Sequence, residues 1–143
     1  MILVDKSDFK GKWEVALNDF SDLDSYIERY EKAILVDLMG EDLADDFISD
    51  PADAKWDDLK DVGFGLTSLI VGFIYFEYVR DLPFRVTNQG VVYQLDDNAS
   101  QVITVLALKQ RYNECADDYR LMQRLLRSDS NNFRGKRRKY IIN

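Results

Sequence analysis

Apolar residues recur along the first part of the chain at spacings that predict amphipathic helices. Between Ser21 and Gly40 they come at intervals of three and four residues, on one helical face: Leu23, Ile27, Tyr30, Ile34 and Leu38. Ser21 is suited to cap the start of this helix, and Gly40 to end it in a left-handed conformation. Further helices are predicted over residues 41–48 and from Asp53 to Val62.

The stretch from Leu66 to Arg80 is apolar on nearly every side, which is typical of a helix covered by neighbours on all its faces. Gly63-Phe64-Gly65 separates it from the preceding helix by a kink or a break, and Pro83 ends it. The surrounding uncharged run from Val62 to Phe76 has 15 residues, fewer than the ~18 that predict a membrane span. We therefore interpret this stretch as the buried helix of a soluble protein.

In residues 84–95 the apolar residues recur at every second position instead of every third or fourth, and this pattern predicts a β-hairpin. Apolar and polar side chains alternate on both sides of Asn88-Gln89-Gly90, a short connection with glycine where the chain needs a positive φ. An isolated hairpin is marginally stable in water, so we expect this one to lie against the helices or against another copy of the chain.

The last predicted helix runs from Asp97 to Arg127. Its apolar positions keep a heptad spacing without a break: Val105, Leu108, Tyr112, Cys115, Tyr119, Met122 and Leu126. Together the patterns predict a mainly α fold, a bundle of four to five helices with one small β-hairpin and an extended C-terminal tail. We assign residues 1–127 to the helical domain, with the hairpin at 84–95, and residues 128–143 to the tail.

Charge is distributed unevenly between these two parts. The chain has 143 residues and a net charge of −7, which fits one domain with an acidic surface. Residues 128–143 carry five basic side chains and one acid, whereas residues 1–127 carry 14 basic and 25 acidic side chains. Ten of those acids, against two lysines, lie between Asp37 and Asp61. A basic segment beside an acidic body is typical of an interaction arm.

Basic and apolar residues follow one another in the tail, where the candidate partner-binding residues are Arg134, Lys136, Arg137, Arg138, Lys139, Tyr140, Ile141 and Ile142. Five basic residues on an acidic chain attract nucleic acid only weakly. We predict that residues 133–143 are disordered in the free subunit and fold onto a partner: a neighbouring copy, another protein or nucleic acid. Deleting them is then expected to leave the melting temperature nearly unchanged.

Side chains suited to catalysis or metal binding are scarce. The chain has no histidine, and its single cysteine, Cys115, lies in the apolar seam of the last helix. The carboxylates between Asp42 and Asp58 lack the spacing, central glycine and terminal glutamate of a calcium loop, so we interpret them as a solvated face. Gly63-Phe64-Gly65 lacks the Lys-Ser/Thr of a phosphate-binding loop, and the N-terminus lacks a signal-peptide core. The sequence therefore predicts a protein that is not an enzyme and that uses no cofactor or metal.

The order of the elements and two stretches of sequence resemble small structural proteins of tailed bacteriophages. The two stretches are Tyr75-Phe76-Glu77-Tyr78-Val79-Arg80-Asp81-Leu82 and Val86-Thr87-Asn88-Gln89-Gly90-Val91-Val92. These phage proteins are the head–tail connectors, or adaptors, of the neck. The resemblance covers the organisation of residues 20–143.

This resemblance implies a virion protein that forms a ring, typically of twelve copies, beneath the portal and lines the DNA channel. It places the portal contact on residues 134–142 and an inter-subunit or next-ring contact on Asn88, Gln89 and Gly90. The implied partners are further copies, the portal protein and other neck or tail proteins, with DNA only passing through the channel and no membrane. The implied location is the virion neck, after assembly in the host cytoplasm. An acidic wall suits this role, since like charge keeps DNA from adhering.

A second hypothesis comes from a different class of protein. A small acidic inhibitor that mimics DNA would present the carboxylates of Asp42–Asp61 to a nucleic-acid-binding protein and would need no ring. It leaves the basic tail unexplained. The native mass at several concentrations separates the two hypotheses, because a connector forms a ring or assembles on the portal whereas an inhibitor stays a monomer or a dimer.

Overall fold

The computed structural model describes residues 3–13, 20–81, 85–87, 90–92, 105–129 and 133–140. Within these ranges the chain is mainly helical, as the apolar periodicity predicts. The described residues form five α-helices: α1 (Phe20–Met39), α2 (Glu41–Ser49), α3 (Asp57–Asp61), α4 (Leu66–Asp81) and α5 (Val105–Asp129). Short 3-10 turns lie at Lys6–Asp8, Gly11–Trp13 and Ala54–Trp56.

The central position of α4 follows from its apolar side chains on all faces. This helix contacts α1, α3, α5 and the two N-terminal 3-10 turns. Its buried side chains are Leu66, Leu69, Ile70, Val71, Phe73, Ile74, Tyr75 and Tyr78. The prediction of a covered helix from Leu66 to Arg80 is therefore confirmed.

The predicted apolar stripe of α1 packs on this core, but the helix begins one residue earlier than predicted. Leu23, Ile27 and Leu38 are fully buried. Ser21 lies inside α1, so its prediction as the N-cap is wrong. Gly40 separates α1 from α2 with a φ of +88°, so the predicted positive φ at the end of the helix is confirmed, but its ψ of 161° is not that of the predicted left-handed helical conformation.

Gly63-Phe64-Gly65 breaks the helix rather than kinking it, and a side chain of α5 holds the break in place. Gly63 and Gly65 both have positive φ. The Phe64 backbone N–H donates a hydrogen bond of 3.1 Å to Oδ2 of Asp118, a carboxylate that is 8% exposed. The helical segments on the two sides of the break differ in direction by 56°.

The seam of α5 is confirmed for the side chains that the structure describes. Cys115, Tyr119, Met122 and Leu126 are at most 5% exposed, and Leu108 and Tyr112 pack against the same core. The helix ends at Asp129, two residues beyond the prediction. Its predicted first turns, from Asp97, lie outside the described residues.

Two three-residue strands, β1 (Arg85–Thr87) and β2 (Gly90–Val92), pair antiparallel, with Val86 opposite Val91. Phe84, the Asn88-Gln89 connection and residues 93–95 lie outside the described residues. The hairpin over residues 84–95 therefore stays a prediction.

In the described part of the chain, no single helix has the length and hydropathy of a membrane span. The segments Ala54–Asp61 and Leu66–Arg80 meet those two criteria only when they are taken together across their bend.

Candidate functional site

The C-terminal segment of residues 133–140, here called the strap, lies on the helical body of its own chain. Its backbone N–H groups donate to α1: Arg134 N to the carbonyl of Met39 at 3.3 Å, and Lys136 N to the carbonyl of Asp37 at 2.6 Å. The prediction that residues 133–143 are disordered in the free subunit is therefore wrong for the described residues 133–140. The reason is that α1 and α5 together offer this segment polar partners that the periodicity of either helix does not reveal.

The strap completes the C-terminal end of α1. The last four carbonyl groups of an α-helix have no partner within the helix. In α1 the carbonyl of Val36 accepts a hydrogen bond from Gly40 N at 2.8 Å. The carbonyls of Asp37 and Met39 accept from backbone N–H groups of the strap, and the carbonyl of Leu38 accepts from a side chain of α5. The last turn of α1 holds no basic residue, so the cations of the strap also supply the positive charge that favours a helix C-terminus.

Two side chains of α5 join α1 to the strap. The Tyr119 hydroxyl lies 2.6 Å from the carbonyl oxygen of Asp37 and 2.5 Å from that of Lys136. Nε2 of Gln123 donates to the carbonyls of Leu38, at 3.2 Å, and Lys136, at 2.8 Å. Tyr119 is fully buried, and this burial raises the pKa of its phenol far above the ordinary value of 10.0.

Arg138 is a half-buried strap residue whose side chain contacts the body. Its guanidinium carbon lies 4.2 Å from the centroid of the Phe73 ring, and its Nη2 lies 3.6 Å from Oδ2 of Asp37. Its Nη1 also reaches the Tyr112 hydroxyl, at 3.5 Å. A planar cation on an aromatic face gains energy when water is displaced from the contact, so Arg138 acts mainly as an anchor of the strap.

Glycine is required at two points where the strap approaches the helices. A Cβ atom added to Gly135 would lie 2.2 Å from the carbonyl oxygen of Leu38, and one on Gly40 would lie 2.7 Å from Cβ of Arg134. Such separations are well below van der Waals contact. The close fit of the strap therefore depends on both residues.

The far end of the strap is fixed by Tyr140. Its hydroxyl hydrogen-bonds to the carboxylate of Asp117, which raises the pKa of the Tyr140 phenol, and the Arg120 guanidinium carbon lies 3.9 Å from the ring centroid. The Tyr140 side chain nevertheless stays 37% exposed. Tyr140 therefore holds the strap and contributes apolar surface at the same time.

The structure divides the predicted tail residues into two groups. Arg138 and Tyr140 hold the strap through side-chain contacts. The other described cations are exposed: Arg134, Lys136, Arg137 and Lys139. Among them, Nζ of Lys136 lies 3.9 Å from Oδ1 of Asp37. Ile141 and Ile142 lie outside the described residues, as do Asn88 and Gln89 of the predicted hairpin contact, and Gly90 begins β2. The described strap thus presents a basic outer face.

The partners of the strap were not predicted from the sequence. Tyr119 was assigned to the apolar seam, and Asp37 and Gln123 were not singled out. Two signals were available: Gln123 is a polar residue beside the buried seam position Met122, and Gly135 interrupts the basic run. Neither signal identifies its partner, because the contacts join residues 13 to 85 positions apart.

An acidic face lies on α2, α3 and the turn between them. Its carboxylates are mostly exposed, as a solvated face requires: Glu41, Asp42, Asp45, Asp46, Asp50, Asp57, Asp58 and Asp61. Lys55 pairs with Asp46 at 2.7 Å, and this contact raises the pKa of the lysine. Among the described residues, no group of three or more His, Cys, Asp or Glu side chains is arranged to hold a metal ion.

Comparison with family models, with curated proteins and with solved structures found no match to this chain.

Proposed function

We propose that this protein is a structural subunit of a bacteriophage neck, which forms a ring beneath the portal, joins head to tail and lines the DNA channel. The observation that carries the proposal is the strap: an extended basic segment fixed on a mainly helical, acidic body. A segment fixed in this way offers a partner a preorganised surface, which lowers the entropy lost on binding.

The portal contact is proposed for the exposed cations Arg134, Lys136, Arg137 and Lys139. Arg138 and Tyr140 support that surface from beneath. The strap does not need to leave the body for this contact, since these four side chains are already exposed. Asn88, Gln89 and Gly90 are kept as the proposed contact with a neighbouring subunit or with the next ring.

The charge of the body supports the same role. Eight exposed carboxylates of α2, α3 and their connection face solvent, and one of them is paired with Lys55. A channel wall of that charge repels the DNA backbone and lets it pass without adhesion.

Attachment to purified, portal-bearing heads tests this function. Replacing Arg134, Lys136, Arg137 and Lys139 with Ser is expected to weaken attachment, and the remaining affinity is expected to depend less on salt. The matched control replaces four exposed cations outside the strap with Ser: Lys10, Arg29, Lys32 and Arg124. Attachment of the strap variant with the affinity of the parent would contradict the proposed portal contact.

The acidic face favours one alternative function, a DNA-mimicking inhibitor of a nucleic-acid-binding protein. Its exposed carboxylates all lie between Glu41 and Asp61. Among the described residues they do not form a group that could hold a metal ion. If the protein is such an inhibitor, replacing Asp42, Asp45, Asp57 and Asp61 with Asn is expected to abolish the inhibition. The same replacement is expected to leave the attachment of a neck protein to heads unchanged. A protein that remains a monomer or dimer at all concentrations and does not bind heads would support the inhibitor.

A further inference from the structure

The side chain of Phe64 is held in solvent at the break between α3 and α4. It is 70% exposed, more than any other large apolar side chain in the described part of the chain. The glycines on both sides have positive φ, and the Phe64 N–H donates to the buried carboxylate of Asp118 on α5. An aromatic ring in water forgoes the free energy that its burial would gain. A ring on a backbone fixed in this way is preorganised to be buried by a second molecule.

A small cleft between α2, α3 and α5 has the size of one such ring. Its volume is about 230 Å³. Its apolar lining comes from Leu43, Trp56, Leu59, Leu125 and Leu126. An apolar cavity of roughly 150 Å³ accepts benzene, whereas sites for whole small molecules typically measure ~300–1,000 Å³. The cleft is therefore suited to one aromatic side chain, to which the Trp56 ring offers an aromatic neighbour.

Phe64 and the cleft lie along one face of α5. Asp118 binds the Phe64 N–H, and Leu125 and Asp129, about two and three turns further along the helix, line the cleft. At about 100° per residue, these three positions on α5 lie within about 20° of one direction. Leu121, which is 43% exposed, lies one turn after Asp118 and one turn before Leu125. Phe64 does not itself line the cleft, so ring and cleft are two separate features of a shared face.

The charges beside the ring and at the cleft are complementary. Lys60 lies beside Phe64, since the Lys60 carbonyl oxygen is 3.1 Å from the position that a Cβ atom on Gly65 would take. The charged residues that line the cleft are Asp46, Asp58, Asp129 and Lys55. Because Lys55 pairs with Asp46, two carboxylates remain for a cation that arrives with an aromatic ring. Phe64 and Lys60 together have this chemistry.

We propose that two copies of this chain pair through this face, with the Phe64 ring of each copy in the cleft of the other. Lys60 then lies against Asp58 and Asp129 of the other copy. Because ring and cleft share one face, a two-fold axis across α5 near Leu121 forms both contacts at once, with the two α5 helices antiparallel. Such a contact uses the same surface on both copies and stops at two. The inference goes beyond the proposed function, since it uses neither the strap cations nor the hairpin residues.

Sedimentation velocity over a range of protein concentrations tests the pair. The parent protein is expected to pass from monomer to dimer. Phe64→Ala should weaken dimerisation at least about a hundredfold, because each of the two buried rings contributes a factor of about ten or more. The control is Leu106→Ala, which shortens a 60% exposed leucine of α5 outside the cleft and should leave dimerisation unchanged. Both side chains are exposed in the single chain, so both variants should melt like the parent in dilute solution.

A charge exchange tests the proposed partners of Lys60. Lys60→Glu and Asp58→Lys should each weaken dimerisation, because each brings like charges together at both ends of the pair. An equimolar mixture of the two variants should restore dimerisation, since a carboxylate then faces an ammonium at each end of the mixed dimer. Asp45→Lys is the matched control, because Asp45 is exposed on α2 but does not line the cleft.

The fluorescence of Trp56 reports whether the cleft is filled. The chain has two tryptophans, so a Trp13→Phe background isolates the emission of Trp56. In this background the emission should change across the concentration range, and addition of Phe64→Ala should remove the change. A dimer that forms without any change in Trp56 emission would use another surface.

Three outcomes would overturn the inference: a parent that stays monomeric at all concentrations, dimerisation that Phe64→Ala leaves unchanged, or association through these residues that continues beyond two copies. Attachment to heads is scored separately. A protein that binds heads but does not pair through Phe64 keeps the proposed function and loses this inference. A protein that pairs through Phe64 but does not bind heads keeps the inference and loses the proposed function.

Discussion

The hydroxyl of Tyr119 lies 2.5 Å from the carbonyl oxygen of Lys136, so a residue of the last helix holds the chain that follows it. The same hydroxyl lies 2.6 Å from the carbonyl oxygen of Asp37 at the end of α1. One buried side chain thus joins α1, α5 and the strap. Loss of this hydroxyl affects three elements at once, which makes it the sharpest test of how the strap is held.

Tyr119→Phe is expected to lower the free energy of unfolding by about 1–2 kcal/mol. The ring and its packing remain, but the hydrogen bond is lost and the carbonyls of Asp37 and Lys136 keep fewer donors. Chemical denaturation measures the change. The control is Tyr30→Phe, which alters a half-buried tyrosine away from the strap and should change stability by less than about 0.5 kcal/mol. Equal stability of Tyr119→Phe and the parent would show that the hydroxyl does not hold the strap.

Removal of residues 133–143 is expected to destabilise the protein by about 1–3 kcal/mol, contrary to the sequence-based expectation of an unchanged melting temperature. The deletion uncovers Tyr119 and Gln123 and removes the strap donors to the carbonyls of Asp37 and Met39. Thermal melting at a concentration where the protein is monomeric measures this effect. Removal of residues 141–143 alone keeps the strap and serves as the control. If the protein that lacks residues 133–143 melts at the same temperature as the protein that lacks residues 141–143, the strap contributes no stability.

Stability is expected to fall above about pH 10, and part of the fall should depend on Tyr119. Burial raises the pKa of this phenol above its ordinary value of 10.0, so the folded state retains the proton at a pH where the unfolded state releases it. Each pH unit between the unfolded and folded pKa then costs up to about 1.4 kcal/mol. Denaturation curves at pH 8, 10 and 11 should show a steeper loss for the parent than for Tyr119→Phe. Parallel losses in the two proteins would show that another group titrates instead.

Gly72→Ala is expected to destabilise the protein by about 1–3 kcal/mol, because α4 and α5 approach closely at this point. A Cβ atom on residue 72 would lie 2.4 Å from Sγ of Cys115 and 3.0 Å from the Trp13 ring. Cys115→Ala removes the nearer atom, so the double variant should recover part of the loss caused by Gly72→Ala. A double-mutant cycle measured by denaturation gives this coupling. If the effects of Gly72→Ala and Cys115→Ala on the free energy of unfolding simply add, the steric strain caused by the new Cβ atom does not come from its contact with Sγ of Cys115.

The local patterns of the sequence determined most of the helical architecture. The stripe from Leu23 to Leu38 predicts α1, and the continuous apolar run from Leu66 predicts a covered helix, because burial follows from the period of apolar residues. The seam through Cys115 and Tyr119 predicts the inner face of α5 in the same way. Helix boundaries were misplaced by one or two residues, at the start of α1 and at the end of α5, since helix ends depend on capping contacts as well as on residue type.

Only the tertiary structure decided the place of the C-terminal segment. Its charge and polarity are those of a solvated arm, yet residues 133–140 lie on α1 and α5, where Gln123 and Tyr119 bond to the backbone of Lys136. Backbone carbonyls accept these bonds whatever the side chain, so no residue pattern in the strap encodes them. The same holds for the cleft of α2, α3 and α5, since its lining comes from residues 43 to 129 and exists only when those helices pack. The sequence by itself determined which residues are buried in each helix, and the packing of the helices determined which surfaces remain for partners.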